Sequence, residues 1–357
     1  MLKMQACPRE LLPDRLGNKK IVCFGTGQAL TTFLRHNERV REKIAYLIDN
    51  DEKKHGTFTN GLQVYSVDEF IKQGNRNVAV AITSSLYYQD IISQLDRIDF
   101  FDGIDCYIDN WNKNKLSIEP YTFLKGRQKI PKTIHYCWFG GNAIPAHLQK
   151  CIDSWKKFCP DYEIIRWDES NYDLSKNKYM LQAYENRKYG FVPDYARLDI
   201  IHQHGGIYLD TDVELIRSLD ELLPYECYCG FEDKHYIALG LGFGAAKGNP
   251  LIQKMMETYE NLDFVKDGVL NLTASPVYQT KIMQDEGFLL NGEYQEKNGT
   301  AVLPPDAFAP GGSLLLPDEI TKHTFSVHHY DASWVDNADK VKQSHEQLRR
   351  LYIERVL

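Results

Sequence analysis

The stretch Val192–Leu215, VPDYARLDIIHQHGGIYLDTDVEL, decides how the second half of this chain folds. Pro193 favours the start of a helix and the Gly205-Gly206 pair favours its end, so the pattern predicts a helix over residues 193–204. The apolar run after the glycines predicts a strand, IYLDTDVEL, over residues 207–215. A helix that passes through a glycine turn into a strand is one step of an α/β alternation, so the stretch predicts an α/β core.

Two aspartates lie two residues apart in this predicted strand. Side chains alternate faces along a strand, so Asp210 and Asp212 are predicted to point to one side, with Tyr208 continuing the row. Two carboxylates in one small volume repel each other unless a cation lies between them, and a hard divalent ion that also binds phosphate oxygens fits that requirement. The pattern predicts a site for Mn²⁺ or Mg²⁺, although an isolated D-x-D is more typical of a solvated strand end.

Asp194 and Arg197 distinguish these two interpretations. They stand three residues apart, hence on one face of the predicted helix, just upstream of the two aspartates. An ordinary i, i+3 ion pair explains Asp194 and Arg197 equally well when they are taken alone. Their combination with the D-x-D indicates a ligand site, because a structural interpretation then has to explain four charged residues in one short stretch.

Outward from this centre, the second half continues the alternation. The sequence predicts a strand over 133–139 that runs into Gly140-Gly141, a helix over 147–158 and a strand over 163–167. These elements predict a second α/β domain with its own core.

The first half predicts a different α/β unit. From residue 19 onward, strands alternate with helices, which is typical of a Rossmann-like parallel, doubly wound sheet. The Gly25-Thr26-Gly27 turn and Asp49 partly match a dinucleotide fingerprint, but Leu30 occupies the third glycine position. An unoccupied crevice is therefore favoured over an NAD site. The predicted domains are a Rossmann-like N-terminal domain over 1–112, a linker over 113–130, a second domain over 131–335 and a C-terminal helix over 336–357.

Bulk composition narrows the class of protein. A chain of 357 residues exceeds what one core usually supports, which agrees with two domains. A net charge of -7 provides no field for gathering a polyanion, so nucleic acid is excluded as the main partner. The eight cysteines form no C-x-x-C pair, which is typical of reduced thiols in a cytoplasmic protein. No apolar run approaches the length of a spanning helix, so the expected location is cytoplasmic, with peripheral contact at the inner face of a membrane left open.

The pattern D-Y-A-R, followed thirteen residues after Arg197 by the first aspartate of G-G-I-Y-L-D-T-D, resembles glycosyltransferase family 32. The resemblance covers about residues 130–334 and implies a GT-A type α/β fold. It also implies retaining transfer of a hexose from a nucleotide-sugar donor to a hydroxyl of a glycan or lipid-linked glycan acceptor. A UDP-sugar is the favoured donor and GDP-mannose the second candidate. Surface or capsular polysaccharide synthesis is the biology that the resemblance suggests.

The resemblance also implies roles for individual residues. Asp212 corresponds to the direct metal ligand, and Asp210 to the acid that contacts the donor ribose and sugar and reaches the metal. Asp194 and Arg197 correspond to the pair that holds the donor sugar hydroxyls, with Tyr208 beside them as a donor-binding residue. These five residues are the predicted catalytic and donor-binding centre.

Aromatic and histidine side chains complete the predicted site. Trp138 is similar to the aromatic residue on which the nucleotide base stacks, whereas core packing is the alternative. A late segment, SVHHYDASW, resembles the element that completes the metal site. His329 is favoured over His328 as the ligand, and Ser333 and Trp334 are placed near the diphosphate. The glycine-rich stretch 238–250 lacks the spacing of a phosphate loop and is interpreted as backbone that passes close to the sugar and the acceptor.

Two other functions remain as alternatives. One is an NAD(P)-dependent sugar-nucleotide oxidoreductase built on the N-terminal domain, which leaves the charged centre unexplained. The other is a non-catalytic glycan-assembly protein on a degenerate transferase fold. The C-terminal stretch has helical spacing and is expected to rest on the protein rather than on an anionic membrane. The sequence carries no signal for an oligomeric state.

Overall fold

The computed structural model describes residues 1–35, 38–84, 87–114, 119–331 and 338–357. It divides into two compact units, the first formed by Met1–Ser117 together with Lys340–Leu357 and the second by Ile118–Asp339.

The first unit is built around a mostly parallel sheet. Its strands are β1 (Lys3–Gln5), β2 (Lys20–Phe24), β3 (Ile44–Ile48), β4 (Phe58–Thr59), β5 (Leu62–Tyr65), β6 (Val78–Ile82) and β7 (Asp105–Ile108). Its helices in this part of the chain are α1 (Leu12–Leu16), α2 (Gln28–Arg35), α3 (Glu38–Arg41), α4 (Val67–Lys72), α5 (Tyr88–Leu95) and α6 (Asp109–Asn114). The strand order is β1-β7-β6-β2-β3-β5-β4, and β4 alone among these strands runs antiparallel to its neighbour. From β2, chain order runs outward through β3 and β5 on one side and through β6 and β7 on the other, which is the doubly wound arrangement.

Asp49, the acid that the dinucleotide interpretation assigns to a ribose, is engaged within the protein. Its carboxylate accepts hydrogen bonds from the Thr26 amide and from the Lys54 ammonium, each at 2.9 Å. The carboxylate therefore braces the glycine turn that follows β2.

The second unit carries the predicted site. Its helices are α7 (Ala146–Phe158), α8 (Lys178–Glu185), α9 (Pro193–His204), α10 (Pro250–Glu260) and α11 (Ser275–Asp285). Its strands are β8 (Thr133–Cys137), β9 (Glu163–Trp167), β10 (Gly206–Tyr208), β11 (Val213–Leu215), β12 (Cys227–Gly230), β13 (Phe243–Ala245), β14 (Val265–Lys266), β15 (Val269–Leu270), β16 (Gln295–Lys297), β17 (Thr300–Leu303) and β18 (Ser326–His328).

The main sheet of this unit has the order β16-β17-β12-β13-β10-β8-β9. Strands β8, β9 and β10 are parallel, whereas β13 runs antiparallel to both β10 and β12. Both faces of the sheet are covered by apolar side chains. Ile134 and Ile207 belong to the cluster on one face, and Cys137 and Tyr208 belong to the cluster on the other. This mixed, two-sided α/β sheet is consistent with the expected GT-A type fold.

The junction between α9 and β10 explains the glycine pair. Gly205 has φ +69°, and a Cβ there would lie 2.8 Å from the Lys247 amide nitrogen. Gly206 has φ +106°, and a Cβ there would lie 2.7 Å from the Thr133 carbonyl oxygen. Glycine alone satisfies both the backbone angles and the space, so the chain can turn sharply from helix into strand.

The predicted single strand over 207–215 is wrong, because the chain forms two strands there. β10 ends at Tyr208 in the main sheet, and β11 begins at Val213 and pairs instead with β18. Asp210 and Asp212 lie in the turn between them, which is closed by a 3.1 Å hydrogen bond from the Val213 amide to the Asp210 carbonyl. Strand alternation therefore does not place the two carboxylates.

Helix α7 makes this departure from the sheet possible. The Trp155 indole nitrogen donates to the Val213 carbonyl at 2.7 Å, and the Leu215 amide donates to the Ser154 hydroxyl oxygen at 2.9 Å. Together with the β18 ladder on the other edge, these bonds satisfy the backbone of β11 outside the main sheet.

The predicted linker over 113–130 also needs correction. It begins inside α6, and its later part is packed into the second unit. Tyr121 is buried and stacks on Tyr294 at 5.3 Å, and Ile130 is fully buried. The segment is polar on average, but three of its apolar residues pack in the core of the second unit: Tyr121, Phe123 and Ile130.

The last helix, α12 (Ala338–Arg355), belongs to the first unit rather than standing as a separate element. The Trp111 indole nitrogen donates to the Leu348 carbonyl at 3.1 Å, and the Trp111 and Tyr352 rings meet edge to face at 5.3 Å. Among the described helices, none combines the length and the apolar character required to cross a bilayer.

Candidate active site

Three potential metal ligands converge at the turn between β10 and β11. Ligand atoms of Asp210, Asp212 and His328 all lie within 4.8 Å of one another. The β11–β18 ladder produces this arrangement, because its register sets His328 opposite Val213, the residue after Asp212. Asp210 and Asp212 are thus brought close to a histidine that lies more than a hundred residues later in the sequence.

The choice of His329 as the metal ligand is corrected by this geometry. His328 Nε2 lies 3.4 Å from an Asp212 carboxylate oxygen, whereas His329 Nε2 lies 2.8 Å from the carboxylate of Glu214. Adjacent residues of an extended chain point to opposite sides, and the strand register decides which one faces the turn.

This difference gives a matched test. We expect His328→Ala to weaken Mn²⁺ binding about tenfold or more, in line with the loss of a group that holds the ion. We expect His329→Ala to change it by less than about threefold, as for a surface substitution. Titration of Mn²⁺ followed by the electron paramagnetic resonance of the free ion, with UDP present, measures both. A larger effect at His329 than at His328 would contradict the assignment.

The chemistry of the three side chains fits Mn²⁺ or Mg²⁺. Two carboxylates provide hard oxygen ligands and one imidazole adds a nitrogen, which leaves positions for phosphate oxygens and water. Asp212 is fixed in place by the Asp331 amide, which donates to its carboxylate at 2.8 Å, and by its own carbonyl, which accepts from the His329 amide at 3.0 Å. The ligand-bearing turn is therefore oriented by backbone hydrogen bonds from the segment after β18.

Arg197 links the helix to the turn. Its guanidinium lies 3.1 Å from Asp194 and 3.4 Å from Asp210, and its Nε donates to the Pro193 carbonyl at 2.9 Å. Asp194 and Arg197 are each 4% exposed, so this pairing is inside the protein. All four charged residues predicted from the sequence thus form one connected group.

Burial and charge oppose each other within this group. Burial raises the pKa of Asp194 to about 6, although the Arg197 guanidinium works in the other direction. Burial also raises the pKa of Asp210, again opposed by Arg197 and reinforced by Asp212. Burial alone would lower the pKa of Arg197, but the carboxylates, Asp210 foremost, raise it above its usual range. Two acids and one buried cation leave the pocket short of positive charge, which favours a bound cation.

The predicted aromatic residues take different positions. Tyr208 is fully buried, and the Arg197 guanidinium lies 5.1 Å from its ring centroid. Tyr208 therefore stabilises the position of Arg197 through a cation–π contact. Trp138 follows β8 and is half-buried, with its indole nitrogen donating to the Asn142 carbonyl at 2.7 Å. The hydrogen bond fixes the ring orientation while part of the ring remains accessible. Ser333 and Trp334 lie outside the described residues.

Gly240 was not singled out from the sequence, although it lies in the glycine-rich stretch. A Cβ at Gly240 would lie 2.5 Å from an Asp210 carboxylate oxygen and 3.2 Å from Arg197 Nη1. The backbone at Gly240 therefore lies directly against this pair of side chains. The density of glycines was the available signal, but it did not indicate which glycine makes the close approach.

His135 is a core residue beside the site. It is 1% exposed, its Nδ1 accepts from the Trp167 indole nitrogen at 3.1 Å, and its Nε2 lies 3.0 Å from the Gly205 carbonyl. Burial lowers its pKa from 6.5 to about 4, because the charged ring is excluded from water. The unfolded chain therefore binds more protons than the folded chain between these two pH values.

From this we expect stability to rise with pH between about 4 and 6.5 through His135, by about 3 kcal/mol in total. His135→Gln keeps one acceptor and one donor without a titrating ring, so it should flatten this part of the profile. Urea unfolding at pH 4.5 and pH 7 in EDTA, compared between wild type and variant, measures the difference. Equal pH dependence in both proteins would contradict the expectation.

Comparison with known proteins adds to this geometry. Residues 145–229 match the family described as "Glycosyltransferase sugar-binding region containing DXD motif". The matched range contains Asp194, Arg197, Asp210 and Asp212. Residues 145–229 are therefore similar to a glycosyltransferase sugar-binding region. Within that range, Asp210 and Asp212 have the D-x-D spacing, and the turn brings both to His328.

Two curated relatives match at moderate identity. Inositol phosphoceramide mannosyltransferase 3 of Schizosaccharomyces pombe is 34% identical over 143 residues, covering 38% of this chain and 38% of the relative. Mannosyl phosphorylinositol ceramide synthase SUR1 of Saccharomyces cerevisiae is 32% identical over 147 residues, covering 38% of this chain and 36% of the relative. The chain thus matches a little over a third of the length of each relative. Among solved structures, PaToxG glycosyltransferase matches with a TM-score of 0.38 and 22% identity, over 45% of this chain and 70% of that chain.

Proposed function

We propose that the protein is a metal-dependent, retaining glycosyltransferase that moves a hexose from a nucleotide-sugar donor to a hydroxyl of a glycan or lipid-linked glycan acceptor. The observation that carries the proposal is the convergence of Asp210, Asp212 and His328 beside the buried Arg197. A cluster of three ligand atoms next to a guanidinium suits a diphosphate and a sugar better than it suits any purely structural role.

Each residue of the cluster has a chemical task in this proposal. Asp210, Asp212 and His328 would hold Mn²⁺ or Mg²⁺, which supplies positive charge against the leaving diphosphate. Arg197, held by its ion pair with Asp194 and by its contact with the Tyr208 ring, orients the sugar hydroxyls. Trp138 provides an accessible aromatic face for the nucleotide base.

The transfer itself is proposed to occur on one face of the sugar. The acceptor hydroxyl oxygen forms the new bond to the anomeric carbon as the bond to the diphosphate breaks, and the acceptor proton passes to the leaving phosphate. This route retains the anomeric configuration and requires no carboxylate nucleophile.

A UDP-sugar is the favoured donor, and GDP-mannose is the second candidate, supported by the word mannosyl in the names of both curated relatives. The acceptor is proposed to be a surface or capsular glycan or a lipid-linked precursor. The sugar transfer is proposed to take place in the cytoplasm or at the inner face of a membrane.

Donor turnover and thermal stabilisation test the proposal. The wild-type protein is incubated with a panel of UDP- and GDP-sugars, with Mn²⁺ or with EDTA, and nucleotide release and melting temperature are measured. We expect one donor to be hydrolysed and to stabilise the protein only with Mn²⁺. Stabilisation by NAD(P) without any response to nucleotide sugars would favour the oxidoreductase. Absence of any response would favour the non-catalytic alternative.

A further inference from the structure

One face of α11 reaches the residues that surround Asp210 and Asp194. The Ser275 side chain, at the start of the helix, interacts with the Asp194 carboxylate. One turn later, Gln279 Oε1 accepts a hydrogen bond from the Leu239 amide at 2.9 Å. Residues four apart share a helix face, so the same surface contacts both Asp194 and the 239–242 backbone.

The 239–242 backbone connects Gln279 to the charged pair. Its Gly240 is the residue whose Cβ would lie 2.5 Å from the Asp210 carboxylate and 3.2 Å from Arg197. The amide that Gln279 holds belongs to the preceding residue, Leu239. Gln279 therefore holds the residue next to Gly240, and Gly240 lies against the side chains that are proposed to bind the donor sugar.

Gln279 has an unused hydrogen-bond donor in this place. The side chain is 1% exposed, and within the described part of the chain its Nε2 has no hydrogen-bond partner. Its position is fixed, because Oε1 is engaged by Leu239. A buried amide donor without a partner is unfavourable in the protein alone, so it points to a ligand that supplies an acceptor.

A second buried donor lies nearby. The Tyr259 hydroxyl, among the described residues, is also without a hydrogen-bond partner, and its ring contacts Tyr278 of α11 at 5.8 Å. Two acids share one guanidinium here, so an anionic ligand group would be repelled. A neutral hydroxyl, which can accept from Gln279, fits the local charge.

We infer that Gln279 is a specificity-determining residue of the donor-sugar pocket, whose Nε2 donates a hydrogen bond to one hydroxyl oxygen of the hexose. The inference rests on the proposed function and names the feature of the donor that the pocket reads. A site built to hydrogen-bond a hydroxyl discriminates against the analogue that lacks it, because its own polar group is then left unpaired.

Deoxy donors test this directly. Hydrolysis with Mn²⁺ is measured for the same panel of UDP- and GDP-sugars. It is then measured for the deoxy analogues, at each hydroxyl in turn, of the donor that the wild type turns over. We expect the wild type to lose about 10- to 100-fold in kcat/KM for the one analogue that lacks the hydroxyl bonded by Gln279. In Gln279→Leu, we expect the penalty for that analogue to fall to within about threefold, while the penalties for the other analogues persist.

Two further variants keep the test decisive. Gln279→Met fills nearly the same volume and serves if Gln279→Leu does not fold. Thr280→Val is the control, because it removes a comparable hydrogen bond, in which the Ile237 amide donates to the Thr280 hydroxyl oxygen at 2.9 Å. We expect this variant to keep the wild-type pattern of penalties. Penalties that are the same in wild type, Gln279→Leu and Gln279→Met would overturn the inference and leave the proposed function intact. A wild type that turns over no donor of the panel would instead overturn the proposed function, and the inference with it.

Discussion

Asp212→Ala is expected to lower Mn²⁺-dependent donor hydrolysis by about a thousandfold or more, because charge stabilisation of a leaving group is commonly the largest catalytic contribution. Asp212 supplies one of the three converging ligand atoms, and the turn that presents it is held by the Asp331 amide. Initial rates at saturating Mn²⁺ and donor give the effect, and melting in EDTA confirms that the variant is folded.

Glu214→Ala is the matched control for this variant. Glu214 lies two residues further along, and its carboxylate pairs with His329 outside the ligand group. We expect its rate to stay within about threefold of wild type, as for a surface substitution. An Asp212→Ala protein that keeps more than a tenth of the wild-type rate would show that this carboxylate is not needed for the chemistry.

Arg197→Met is expected to lower the free energy of unfolding by about 3–5 kcal/mol at pH 7.5, because it leaves the buried Asp194 carboxylate without its counter-charge and next to Asp210. Asp194 and Asp210 would face each other without the guanidinium that now lies 3.1 and 3.4 Å away. The pKa of Asp194, already about 6, would rise further. The folded variant would then bind protons more readily than the unfolded chain, so its deficit should shrink as the pH falls towards 5.5.

Denaturant unfolding in EDTA at pH 7.5 and 5.5 measures this loss. Arg166→Met is the control, because Arg166 forms a comparable 2.9 Å pair with Asp168 but is 41% exposed. We expect that control to lose no more than about 1 kcal/mol. Equal losses at the two positions would mean that Arg197 does not neutralise the buried Asp194 carboxylate.

The fold could be predicted from sequence wherever local signals were strong. Helix α9 begins at Pro193 and ends before Gly205 as predicted, because proline and glycine act locally through fixed backbone angles. The division of the residue 207–215 strand could not be predicted, because it depends on α7 and β18 supplying partners for β11. The packing of Tyr121 and the return of α12 to the first unit likewise depend on contacts between residues far apart in sequence.

The candidate site shows the same division between local and distant information. The four charged residues were found because they fall in one short stretch with a recognisable spacing. The histidine could not be chosen, because the register of β18 on β11 decides which neighbour faces the turn. The glycine density around Gly240 does not indicate which glycine approaches Asp210, and the buried amide of Gln279 leaves no pattern in the sequence.

Calorimetric titration of UDP and GDP into the wild-type protein, once with Mn²⁺ and once with EDTA, tests most directly whether this is a metal-dependent nucleotide-sugar site. We expect one of the two nucleotides to bind about tenfold or more tightly with Mn²⁺ than with EDTA, because the ion links the carboxylates to the diphosphate. Equal affinity in Mn²⁺ and EDTA, or no binding of either nucleotide, would contradict it.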